Sequence, residues 1–226
     1  MKWLFALALL ALVACAQSNC TDDTCRMTTA VEQGDPTLCA QVTQMLQSSC
    51  YTDVAVAKAS TSVCEQIQDD RTQSFCIARV ATATKDVALC DKVNHPQARD
   101  KCYVELAAIQ NNAALCAKTQ QAVYGDSCAY DLALEHNDTD ACLNIRETEL
   151  KDKCVMLIAV GLSDASLCKK TYSYEIENWC ISTIAIKTLN VTLCDQVKNS
   201  RYNEICKYGA SNGTMGHVVN TTSFNP

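Results

Sequence analysis

Turn-forming residues are scarce in this chain. Its 226 residues include 6 Gly and 3 Pro, beside abundant Ala, Leu, Gln and Lys, a balance that disfavours turn-dense structure and favours helices. Aromatic residues make up 6%, so each structural element has little large apolar surface to bury. Basic charge is not in excess: the net charge is −6 and the pI near 5.0, which argues against a nucleic-acid partner or an anionic membrane surface. There is no Cys-x-x-Cys, so zinc knuckles and redox pairs lack their usual spacing. A glycine-rich phosphate loop, a nucleophile elbow and a zincin helix are also missing, and no enzyme is expected. The three histidines, His95, His136 and His217, fall in two connections and the tail without shared helical spacing, and read as solvated loop residues.

What is present in excess is cysteine, 17 in all, a count that belongs to an oxidising compartment. The N-terminus offers a route there. Lys2 precedes the apolar run from Trp3 to Ala14, which is too short for a comfortable membrane span. Leu12-Val13-Ala14-Cys15 resembles a prokaryotic lipoprotein signal, with Cys15 as the lipidated residue and the only link to a membrane. Ala14-Cys15-Ala16 also fits an ordinary secretory cleavage site. Residues 1–15 are therefore read as a signal peptide of one kind or the other, and either exit leaves sixteen cysteines. Asn-x-Ser/Thr sequons at Asn19, Asn137, Asn190, Asn212 and Asn220 are candidate glycosylation sites. Both features predict an extracytoplasmic protein, lipid-anchored to the envelope or secreted.

Beyond a partial unit at residues 16–34, the chain is a repeat. Seven units begin at Asp35, Ser60, Asp86, Asn112, Asp138, Asp164 and Asn190, with a period of 26 from Ser60 onward. Each opens on Asp, Asn or Ser, four residues before a first cysteine, as a helix N-cap does. An apolar residue precedes that cysteine, and Val42, Ile67, Val93, Thr119, Ile145, Thr171 or Val197 follows it by three, which predicts a short helix of about two turns. A polar connection then leads to a longer helix. It carries the second cysteine, an apolar residue four later and, in six units, Ala55, Ala81, Ala107, Ala133, Ala159 or Ala185. Gly209-Ala210 breaks this rule, so the last helix is expected to stop early; residues 212–226 read as a disordered tail.

A two-turn helix barely holds in water alone, and a cross-link within each unit offsets that weakness by about 3 kcal/mol in the chain-entropy description. Two pairings keep the units equivalent. One closes each hairpin: Cys39–Cys50, Cys64–Cys76, Cys90–Cys102, Cys116–Cys128, Cys142–Cys154, Cys168–Cys180 and Cys194–Cys206, leaving Cys20–Cys25 to pair locally. The other joins each second helix to the next unit and strands Cys20 and Cys206 at opposite ends. The first is preferred for that reason, although the spacing between units is the more regular of the two.

The pattern resembles α-solenoid repeats broadly, distantly like tetratricopeptide or Sel1-type arrays, over residues 35–211. Their diagnostic residues are missing and 26 residues is short for them. The resemblance implies a right-handed-type α-solenoid of about seven two-helix repeats and lends no functional residues. Tyr124, Tyr172, Tyr174 and Tyr202, with Trp179 nearby, fall in or beside connections and form a candidate binding edge. The function expected is a non-catalytic scaffold that binds a protein or small ligand at the cell surface, without a cofactor. The alternatives are a Cu(I)- or Zn-thiolate store and a secreted inhibitor or enzyme accessory.

Overall fold

In the computed structural model, which describes residues 20–213, the chain is all helix, without strands among those residues. Residues 1–15, expected to be a signal peptide, with Cys15, the sequons at Asn19 and Asn220, His217 and residues 214–226 lie outside the described residues. The partial unit contributes α1 (Asp23–Gln33). Seven pairs follow, each a short 3-10 segment and then an α-helix: η1 (Pro36–Gln41) and α2 (Gln44–Ala57), η2 (Thr61–Gln66) and α3 (Asp70–Thr84), η3 (Val87–Lys92) and α4 (Pro96–Gln110), η4 (Ala113–Lys118) and α5 (Ala122–His136). The array continues through η5 (Ala141–Asn144) and α6 (Thr148–Leu162), η6 (Leu167–Lys170) and α7 (Tyr174–Thr188), and η7 (Val191–Gln196) and α8 (Ser200–Asn212).

The first element of each unit is thus a 3-10 segment of four to six residues, not the two-turn helix expected. Its two ends explain the difference. At the start, the side chain of the first residue accepts the N–H two positions on: Thr37 to Asp35, Ala88 to Asp86, Ala114 to Asn112, Asp140 to Asp138, Ser166 to Asp164 and Thr192 to Asn190. At the end, the residue three past the cysteine bonds back to the cysteine carbonyl and turns extended, as Val93 N–H does to Cys90. An i-to-i+3 closure a few residues after an Asx turn leaves no room for an i-to-i+4 ladder. Ser60 is the exception at the start: its hydroxyl bonds Ser62 Oγ at 2.8 Å instead of capping the backbone.

The same opening residue also finishes the helix before it. Its N–H reaches back to the alanine five past the second cysteine: Ser60 to Ala55, Asp86 to Ala81, Asn112 to Ala107, Asp138 to Ala133, Asp164 to Ala159 and Asn190 to Ala185. This is the 6→1 bond of a Schellman motif, and it requires a left-handed residue between. Gly34, Ala59, Lys85, Asn111, Asn137, Ser163 and Leu189 supply it, with φ between 47° and 62°. The alanines are fully buried, so the position serves both close packing and capping.

Disulfides join the two halves of every hairpin, and Cys20 pairs with Cys25; this is the within-hairpin scheme. Fourteen of these sulfurs run through the core beside Val54, Val80, Leu106, Leu132, Ile158 and Ile184. Thr119 takes the place of an apolar residue without leaving its hydroxyl unpaired, since it donates to the Cys116 carbonyl at 3.0 Å. The last helix does end early relative to its cysteine, although it runs through the buried Gly209 and Ala210 to Asn212.

Candidate functional site

The connections between each 3-10 segment and its α-helix form the edge on which the candidate aromatics sit, and a row of polar side chains holds that edge in place. Two residues before the second cysteine, inside each α-helix, stands Asp100, Asp126 or Asp152, each nearly or wholly buried. Each carboxylate accepts two consecutive backbone N–H groups from the connection of the following unit. Asp100 takes Gln120 at 2.7 Å and Gln121 at 3.0 Å. Asp126 takes Arg146 at 2.9 Å and Glu147 at 3.2 Å. Asp152 takes Tyr172 and Ser173, both at 2.7 Å. One acceptor atom meets each N–H, so the buried charge is satisfied by fixed backbone dipoles.

The register continues with weaker members. Asn178 accepts Lys198 N–H at 2.9 Å, Ser74 accepts His95 N–H at 3.2 Å and Asp23 accepts Thr43 N–H at 3.2 Å. In the last unit the position is Glu204, exposed, and no further connection follows among the described residues. The sequence pattern assigned a cap role only to the opening residues, such as Asp86, Asp138 and Asp164, and the ladder was missed. The signal was there: Asp, Asn or Ser always stands two residues before the second cysteine, except in the terminal unit.

A second inter-unit lock lies at Gly125. A Cβ there would run into the Arg146 guanidinium, Thr119 Oγ1 and the Cys116 carbonyl. Three other units carry an amide at the same position, where Gln47, Gln73 and Asn203 donate to carbonyls of their own connection. Gly125 instead admits Arg146 from the next unit, whose guanidinium donates to Thr119 Oγ1 at 2.6 Å and to the Thr119 carbonyl at 3.0 Å.

On this frame the candidate aromatics separate. Tyr172 and Tyr174 flank Ser173 in one connection, 67% and 46% exposed. A lysine ammonium lies over each ring, Lys151 at 5.0 Å from Tyr172 and Lys198 at 5.7 Å from Tyr174. Tyr124 opens the first turn of α5 and is also exposed. Tyr202, at the equivalent place in α8, packs partly on the core, and Trp179 is half-buried next to Cys180. Phe75, not considered from sequence, occupies the register of Trp179, with the His95 ring 6.2 Å away and the Arg71 guanidinium over its face. His95 is therefore not a solvated loop residue. It is half-buried at the start of α4, and its Nδ1 has no partner.

Charged groups elsewhere serve structure. Asp35, Asp69 and Asp164 have carboxyls held below the usual range, chiefly by hydroxyl donors from Thr37, Thr72 and Ser166. Tyr103 is pushed up to about 12 by burial and then by its hydrogen bond to Asp91. Of the sequons, Asn137 is an exposed left-handed corner, Asn190 caps η7 through its carbonyl oxygen, and Asn212 donates to the Tyr208 carbonyl. A shallow groove of about 490 Å³ crosses α2, α3 and α4, floored by Val56, Ala83, Ala108 and Ile109 between Arg79 and Glu105. Among the described residues no group of three or more His, Cys, Asp or Glu is placed to hold a metal, and no helix is long and apolar enough to cross a membrane.

Fold and edge together define a class: a disulfide-bonded array of short helical hairpins, with the connections aligned by an inter-unit hydrogen-bond ladder. Compared with protein-family models, curated proteins and solved structures, the chain matches none.

Proposed function

We propose that the protein is a non-catalytic binding scaffold working in an oxidising, extracytoplasmic setting, with the connection edge of the later units as its recognition surface. The observation that carries this is the pair Tyr172 and Tyr174. Both rings are exposed, while the backbone between them is clamped by Asp152. Exposed aromatic side chains on a rigid frame bind with little ordering cost. The buried carboxylates are already occupied as backbone acceptors, which favours a structural role for them over acid–base work.

A thiolate store would need free sulfurs, whereas all sixteen cysteines from Cys20 to Cys206 are bonded in pairs. The reading includes export through residues 1–15, by lipidation at Cys15 or by ordinary cleavage. Intact mass of the native protein reports the processed N-terminus, any lipid or glycan, and the oxidised thiols together. Pull-down from envelope and secreted fractions tests the function: a specific partner captured by the native protein should be lost with Tyr172→Ala/Tyr174→Ala. Equal capture by both would refute the edge.

A further inference from the structure

In units two to seven the residues four past the first cysteines make one exposed row along the connections: Gln68, Asn94, Gln120, Arg146, Tyr172 and Lys198. None is acidic and none is aliphatic, in a chain with net charge −6. The backbone N–H groups of Gln120, Arg146, Tyr172 and Lys198 are each bound by the preceding unit, so these rungs are held in register. The Arg146 guanidinium is held by Thr119, but the other tips are less engaged. The amides of Gln68, Asn94 and Gln120 make no hydrogen bond among the described residues, and neither does the Tyr172 hydroxyl. Lys151 and Lys198 rest over tyrosine rings and form no ion pair among the described residues.

From this row we infer an oligosaccharide-binding edge; the inference rests on the scaffold reading above and names its ligand class. A side-chain amide offers both donors and an acceptor, which matches hydroxyls that do the same. An exposed tyrosine offers a flat apolar face to the C–H side of a sugar ring, with a hydroxyl at its rim. Packed helices lie roughly 8–10 Å apart, so successive rungs reach along an extended chain and not around one sugar. A peptide would be anchored by an apolar pocket or an open strand edge, and the row supplies neither. The frame is rigid before binding, which suits a ligand whose individual contacts are weak.

The test is calorimetric titration of the full chain with hexamers of glucose, of N-acetylglucosamine and of galacturonate. Binding of at least one hexamer is expected. Tyr172→Ala should weaken it roughly tenfold, the usual scale for a truncated aromatic anchor. Gln120→Ala should weaken it severalfold, and Ile109→Ala, in the groove of α2–α4, should leave it unchanged. Preference for galacturonate, lost in Lys151→Ala/Lys198→Ala, would assign the lysines to carboxylates; equal binding of the neutral hexamers would assign recognition to hydroxyls. No binding of any hexamer at millimolar concentration, or binding insensitive to Tyr172→Ala, overturns the inference. If the hexamers fail while a protein partner is still lost on Tyr172→Ala/Tyr174→Ala, the scaffold stands and only the glycan falls. If that partner is also unaffected, both readings fall. Unchanged melting of these exposed-site variants guards against misfolding as the cause.

Discussion

Replacing Asp152 with Ala should uncouple the fifth and sixth repeats. The carboxylate is 1% exposed, and each of its oxygens receives one backbone N–H, from Tyr172 and Ser173, both at 2.7 Å. A hydrogen bond to a charged acceptor contributes about 1.5–3 kcal/mol net, so the pair is worth about 3–6 kcal/mol before water reaches the vacated groups. With that partial recovery, a loss of about 3 kcal/mol is expected. Asp152→Asn should cost roughly half as much. Asn178, one unit later, shows an amide holding a single N–H at this register, that of Lys198.

Stability in a repeat array sums repeat and neighbour-interface contributions, so the loss should fall on one interface. Chemical denaturation with disulfides intact should therefore broaden or split, and hydrogen exchange should accelerate first at the amides of Tyr172 and Ser173. Glu204→Ala is the matched control. It stands at the same register in the terminal unit, exposed, and should change stability by less than about 0.5 kcal/mol. Equal effects of Asp152→Ala and Glu204→Ala, or fast exchange spread evenly over the array, would refute the ladder as the coupling element.

Three further outcomes follow from particular positions. Gly125→Ala should destabilise by about 2 kcal/mol or more, because the added methyl meets the Cys116 carbonyl as well as Arg146; Arg146→Ala should not rescue it, and full rescue in the double variant would contradict the packing described. Leu189→Gly should raise stability by about 0.5–1 kcal/mol in thermal melts, since Leu189 holds φ 54° on an exposed corner; a fall would show that its side chain matters more than its strain. Tyr103 ionises near 10 when unfolded and near 12 in the fold, so its contribution is complete below pH 10 and is lost as pH rises through 12. Stability curves measured across that window should flatten in Tyr103→Phe, and an unchanged slope would remove Tyr103 as the cause.

Much of the architecture was legible because a period of 26 exposes every recurring need of a helical hairpin at once. The opening Asp or Asn, the two cysteines and the close-packing alanine each announce themselves by residue type at a fixed place. The left-handed corners did not. Of the seven corners between units, only Gly34, Asn111 and Asn137 are residue types that advertise positive φ, while Ala59, Lys85, Ser163 and Leu189 take it under the pull of two Schellman bonds. The 3-10 geometry was hidden for a related reason, since an i, i+3 apolar pattern does not separate a short α-helix from a tighter turn.

The candidate edge was legible as a list of rings and not as a surface. Sequence placed five aromatics near connections; packing then drew Tyr202 and Trp179 inward and left Tyr172, Tyr174 and Tyr124 outside. By itself the sequence determined the repeat, its boundaries and the chemistry of each hairpin, because those depend on residues close together along the chain. Only the tertiary structure decided the disulfide pairing between two admissible schemes and the bonding of Asp100, Asp126 and Asp152 to the next unit. It likewise decided which side chains the connections present. Those outcomes depend on how one hairpin lies against its neighbour, with partners 20 or 21 residues apart, and a pattern that repeats identically along the chain carries no mark of which copy a side chain will face.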